Sequence, residues 1–173
     1  MTLSVAQSGS EVVAPERAFL ALVRTIGLLE RVMQPQFARF GVSGSQWAAL
    51  RTLQRAEADG QPSLRITDLS ERLLIRPPSV TGVIDRLERS GMVARDTSPD
   101  DLRTRRVRLT AGGHRLLRQV TGVYAEQVER ALGGLRSSDQ QELHRLLQRL
   151  SLHLEKLLDP TNRAAPSGGA SEI

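Results

Sequence analysis

Residues 65–93, RITDLSERLLIRPPSVTGVIDRLERSGMV, decide the fold. Thr67 is a good N-cap for a short helix with Leu69 and Leu73 turned inward, and Arg76-Pro77-Pro78 ends it. Proline is tolerated in the first turn of a helix but not inside one, so a second helix starts at the prolines. Val80, Val83, Ile84 and Leu87 form its buried stripe and Gly91 is placed to terminate it. Its other face offers Ser79, Thr81, Asp85, Arg86 and Arg89. Two short helices joined by a tight turn, the second with a polar outer face, spell a helix-turn-helix.

Downstream the apolar period changes from that of a helix to two. Val93 and Arg95 lead into the turn-rich TSPDD, and RVRLT at 106–110 alternates as a returning strand, predicting a β-hairpin with arginines near its tip. A hairpin after a helix-turn-helix makes a winged helix, whose second helix enters the major groove while the wing reaches toward adjacent phosphates or the minor groove. Thr110 can cap a helix from about Ala111 to Leu132, which Gly133-Gly134 breaks. Ser138 and Gln141 then open a further helix with Leu143, Leu146, Leu147, Leu150, Leu154, Leu157 and Leu158 at alternating spacings of three and four. Upstream, Phe19, Leu22, Val23, Ile26, Leu29, Met33, Phe37 and Phe40 mark an amphipathic helix that Pro35 should kink or split, and Ser43 with Gln46 caps another containing Trp47, Leu50 and Leu53.

The organisation read from these signals is a polar, disordered N-terminus over 1–14, a helical dimerisation region over 15–40 and 111–158, a winged helix-turn-helix lobe over 41–110, and a flexible Pro/Gly/Ser-rich tail over 159–173. The fold class is mainly α with a small β-hairpin wing. Two long apolar stripes at opposite ends of the chain exceed what a small winged-helix core covers, which predicts a twofold homodimer.

Charge points the same way. The 173 residues carry a formal charge of +5, and 23 of the 24 basic side chains are arginine. Nine arginines against Glu88, Asp96, Asp100 and Asp101 lie between Arg86 and Arg118, so this segment accounts for the whole excess. Such a concentration is the electrostatic footprint of a nucleic-acid contact surface, and the winged helix makes double-stranded DNA the expected partner. Arg76, Ser79, Thr81 and Arg86 are the contact candidates of the second helix, and Arg103, Arg105 and Arg106 those of the wing. For Arg86 the competing reading is a surface pair with Asp85 or Glu88; for Arg103, a salt bridge with Asp101; Arg89 reads as an ordinary surface residue.

Other function classes lose support. The absence of cysteine removes disulfides, thiolate metal sites and thiol switches. His114, His144 and His153 show no metal-ligand spacing, GVSGS at 41–45 is not a nucleophile elbow, and AGGHR lacks the ending of a phosphate loop. No enzyme, cofactor or metal is expected. No transmembrane run and no secretory signal are evident, so a cytoplasmic protein is expected.

Three segments, SGSQWAALRTL at 43–53, ITDLSERLLIRPPSVTGVIDRLERSGMV at 66–93 and RDTSPDDLRTRRVRLTAGGHRLL at 95–117, together resemble the MarR family of bacterial winged-helix regulators, over roughly residues 15–158. The D-x-R followed by a strand and Leu-Thr is the most telling piece. The resemblance implies a homodimer built from the first and last helices, reading a pseudo-palindromic operator, with Asp101 structuring the wing and Arg103 at its contact position. An operator-bound dimer needs no further surface to block polymerase, so a repressor is expected over an activator. It also implies release by a small aromatic or phenolic ligand between the dimerisation helices and the DNA-binding lobe, for which Trp47, Arg24 and His114 are the candidates; for Trp47 the other reading is core packing. Gly82 departs from the family's longer polar side chains on the recognition helix. The reading from another class is a winged-helix module that docks protein instead of DNA.

Overall fold

The computed structural model describes residues 8–97 and 105–159, with side chains over 14–96 and 106–159. Its elements run α1 (Ser8–Ala38), α2 (Gly44–Ala58), β1 (Leu64–Arg65), α3 (Ile66–Leu73), α4 (Pro77–Arg89), β2 (Val93–Thr97), β3 (Arg105–Leu109), α5 (Ala111–Leu132) and α6 (Ser137–Leu158). The mostly helical fold with a small antiparallel sheet is that of a winged helix. The chain divides into two units, residues 1–128 and 129–173. Among the described residues no helix is long and apolar enough to cross a membrane.

In the first unit the core gathers Leu50 and Leu53 of α2, Leu69 of α3, Val80, Ile84 and Leu87 of α4, Val93 and Val107 of the sheet, and Leu117 and Val120 of α5. Val107 and Leu109 face inward while Arg106 and Arg108 face outward, the two-residue alternation of a half-buried strand. The sheet order is β1-β3-β2, with Val93 opposite Leu109 and Arg95 opposite Val107 in the wing, and Leu64 opposite Val107 at the other edge.

The capping signals hold at three helices. Ser43 and Gln46 form a reciprocal box, Gln46 N donating to Ser43 Oγ at 3.2 Å and Ser43 N to Gln46 Oε1 at 2.8 Å. Thr110 Oγ1 accepts from Gly113 N at 3.1 Å and donates to the Gly91 carbonyl at 2.7 Å, so one hydroxyl starts α5 and ties it to the end of α4. Gly91, at φ +71°, closes α4 as its position predicts.

Elsewhere the structure departs from the sequence-based expectation. Helix α1 starts at Ser8, inside the stretch expected to be disordered, and runs through Pro35 to Ala38 without splitting. Pro35 sits in the last turn, where its missing N–H leaves one carbonyl unpaired but little helix beyond it to disrupt. Helix α3 is capped two residues earlier than Thr67: Arg65 N donates to Asp68 Oδ2 at 3.0 Å, and the Arg65 guanidinium forks onto the same carboxylate at 2.8 Å. Pairing of Arg65 with Arg106 in β1, a strand not anticipated, holds Arg65 extended and so sets where the helix begins.

The second unit contains α6, which starts after Arg136 and not at the expected Ser138–Gln141 box. Asp139 instead accepts from the Arg136 guanidinium at 2.9 Å, and Gln140 Nε2 donates to the carbonyls of Leu132 and Leu135 at 3.2 and 3.1 Å.

Candidate nucleic-acid interface

Helix α4 buries Val80, Val83, Ile84 and Leu87. At about 100° per residue, that stripe places Gly82, Asp85 and Arg89 along the middle of the opposite face, with Ser79 and Arg86 on one shoulder and Thr81 on the other. Arg76, Ser79, Thr81 and Arg86 are all exposed. All four predicted contacts of α4 and the turn before it are thus accessible. The Thr81 hydroxyl donates to the Pro77 carbonyl at 3.1 Å and keeps its acceptor lone pairs outward.

The start of α4 is a poor anion site in its backbone. Pro77 and Pro78 have no N–H, and the next two, Ser79 N and Val80 N, both bond to the Arg76 carbonyl at 2.9 and 3.2 Å. Positive charge there comes from the Arg76 side chain at the N-cap position. The turn before it is held by Leu74 in the left-handed region at φ +53° and by Ser70 Oγ donating to the Ile75 carbonyl at 2.5 Å.

Gly82 has a physical use here. A methyl group on it would stand 3.8 Å from Arg86 Nη1, so the Arg86 guanidinium folds back toward the preceding turn and lies over the bare backbone. A long side chain at 82 would compete for that place. The rival reading of Arg86, a pair with Asp85 or Glu88, is not what forms. Both carboxylates go to Arg95 of β2, whose Nη2 lies 2.5 Å from Asp85 and whose Nη1 bonds Glu88, while Arg95 N donates to Glu88 at 3.2 Å. Burial of Arg95 works against its charge, but the hydrogen bonds to Asp85 and Glu88 outweigh this and hold its pKa above the usual arginine value. Among the described residues no ion pair engages Arg76, Arg86 or Arg89.

The wing divides the remaining candidates. Arg106, expected as a contact, turns to the other edge of the sheet, its Nε donating to Ser63 Oγ at 2.8 Å and its Nη2 to the Ser63 carbonyl at 2.7 Å. Those bonds fasten the chain entering β1 to β3. The backbone of Arg105 lies in β3 opposite Thr97, and its side chain is outside the described ones; Asp101 and Arg103 lie outside the described residues altogether. Arg108 pairs with Asp96 across the hairpin at 2.9 Å.

The three effector candidates do not come together. Trp47 is 4% exposed and packs with Phe37 and Tyr124, its ring centroid 6.0 and 5.5 Å from theirs. This cluster borders a cavity of about 680 Å³ that Met33, Arg31 and Ser43 also line. Arg24 and His114 are not among its walls. Arg24 is exposed on α1, and His114 Nε2 lies 3.4 Å from Glu57. Sequence reasoning missed Arg31 and Tyr124, which reach the cavity from α1 and α5; their helical positions alone carried no sign of it.

Comparison with known proteins bears on this geometry. Residues 42–104 match the model of the MarR family. YkoM of Bacillus subtilis, an uncharacterised HTH-type transcriptional regulator, is 34% identical over 94 residues, which span 54% of this chain and 61% of that protein. The structure of BpsR from Bordetella bronchiseptica, whose DNA binding is regulated by 6-hydroxynicotinic acid, superposes with a TM-score of 0.71 at 22% identity, covering 78% of this chain and 98% of that one. A mutant MarR from E. coli, complexed with operator DNA, gives 0.69 at 20% identity over 80% of this chain and 94% of that one.

Proposed function

We infer that this chain, a member of the MarR family, is a homodimeric repressor that grips a pseudo-palindromic duplex operator through α4 and the wing. The observation that carries the reading is the outer face of α4, where Arg86 lies over Gly82 with the neighbouring carboxylates drawn off by Arg95. A helix with free guanidinium groups and short polar side chains is suited to a groove lined by phosphates and base edges. That BpsR binds DNA and that a MarR mutant is complexed with operator DNA, both in the same fold, supports it.

Assembly as a twofold dimer is supported by apolar surface that a single chain leaves open: Phe19, Val23 and Ile26 on α1, and Leu143, Leu147, Leu150, Leu154 and Leu157 on α6. Two recognition helices then address half-sites about one helical turn apart. Occupancy of such a site excludes polymerase with no further surface, which favours repression. The cavity beside Trp47 suits a small aromatic or phenolic ligand, with the rings of Phe37, Trp47 and Tyr124 for stacking and Arg31 for an acidic group. Release follows when the ligand binds better to a form whose recognition helices are wrongly spaced.

Selection of bound fragments from random duplex DNA tests the reading. A palindrome is the expected product. Failure to enrich any sequence, with retention of a protein partner instead, would establish the protein-docking alternative.

A further inference from the structure

Arg89, which sequence reasoning set aside, occupies the middle of the exposed face of α4, two turns beyond Gly82. Its Nε donates to the main-chain carbonyl of Asp85 at 3.2 Å, so the guanidinium lies along the preceding turn. An aspartate followed four residues later by an arginine is the acid-before-base order that pairs on a helix surface. That pair is not made. The Asp85 carboxylate is held by Arg95 of β2 at 2.5 Å, and Arg95 binds Glu88 as well.

The competition has a physical reason. The Arg95 side chain is only 17% exposed, wedged between the wing and α4, so its charge has little water to turn to and takes both carboxylates. Arg89 is exposed and sacrifices nothing by staying hydrated. The result is an arginine on the outermost line of α4, anchored through one donor to the Asp85 carbonyl and with no carboxylate paired with its guanidinium.

We propose that Arg89 is a phosphate-contacting residue of the DNA interface, and that Arg95 is the positioning residue that keeps it free by drawing Asp85 away. This rests on the DNA-binding reading above. It adds a contact at the end of α4 opposite to Arg76, so the helix is clamped at both ends, with Ser79, Thr81 and Arg86 between.

The test is the slope of log K against log salt for the full-length protein, measured on a duplex from the selection and on a random duplex. Each phosphate contact contributes about 0.9 to that slope, or roughly eightfold in affinity at 0.1 M salt. Arg89→Gln is expected to lower the slope by about that amount per engaged subunit on both duplexes. Arg95→Met should lower it similarly and add nothing to Arg89→Gln, because Asp85 then captures Arg89. Adding Asp85→Asn to Arg95→Met should restore the slope without restoring thermal stability, a separation that a merely structural Arg95 would not give. Asp85→Asn alone should leave the slope as it was. An unchanged slope in Arg89→Gln, or no recovery on adding Asp85→Asn, overturns the proposal while DNA binding stands. A wild-type slope near zero removes the DNA-binding reading and this proposal with it. Should Arg95→Met fail to fold, Arg89→Gln and Asp85→Asn in the otherwise unchanged chain still decide.

Discussion

Gly113 and Met92 meet so closely that a methyl group on Gly113 would stand 2.2 Å from the Met92 carbonyl oxygen. This contact seats the first turn of α5 on the turn between α4 and the wing, and the obstacle is backbone, which cannot swing aside. Gly113→Ala should therefore lower stability by about 3 kcal/mol, through forced separation of the two segments. Denaturant unfolding measures it, and Gly122→Ala, with open space around it, is the control that should cost nothing.

Leu74 adopts φ +53° while 81% exposed. A branched side chain in the left-handed region costs about 1–2 kcal/mol, and Leu74 buries too little to recover it. Leu74→Gly should raise stability by about 0.5–1 kcal/mol after the larger entropy of unfolded glycine is counted. A lower melting temperature in this variant would show that Leu74 packs against something.

Hydrogen bonds from Arg65 depress the pKa of Asp68. A depressed carboxylate stabilises the fold fully above its unfolded value, about 3.9, and that contribution is lost as the pH falls through the folded-state value. Asp68→Asn should lower stability at pH 7 and flatten the decline between pH 5 and 2. Parallel acid curves for the two proteins would rule out the Asp68 cap as the cause.

With two of its donors on Ser63, Arg106 is expected to hold the sheet and not phosphate. Arg106→Ala should cost about 2 kcal/mol of stability. The salt dependence of DNA binding should stay the same; a slope smaller by about 0.9 would return Arg106 to the interface.

Trp47 is the chain's only tryptophan, so its fluorescence reports directly on the neighbouring cavity. Titration with small aromatic carboxylates should change the emission saturably. Arg31→Ala should weaken that binding about tenfold by removing the cation at the wall, while Arg24→Ala leaves it unchanged.

Local signals were legible wherever neighbours in the chain settle the outcome. The Ser43–Gln46 box, Thr110 before α5, Gly91 after α4 and the alternation of Val107 and Leu109 each depend on contacts within a few residues, and each formed as read. Thr67 misled because the start of α3 is set by β1 pairing with β3, across more than forty residues. The candidate site followed the same division. Exposure of Ser79, Thr81 and Arg86 follows from helical periodicity, whereas the partner of Arg106 lies at Ser63.

The order of residues by itself determined a helix-turn-helix followed by a hairpin and an arginine-rich segment, because caps, prolines and apolar periods act over one or two turns of chain. Tertiary structure alone decided which arginines remain available. Arg95 and Arg106 are consumed by carboxylates and a serine brought near by folding, and Arg86 and Arg89 are spared. A guanidinium takes whichever acceptor folding places within reach, in the least solvated surroundings, and that competition is settled in space.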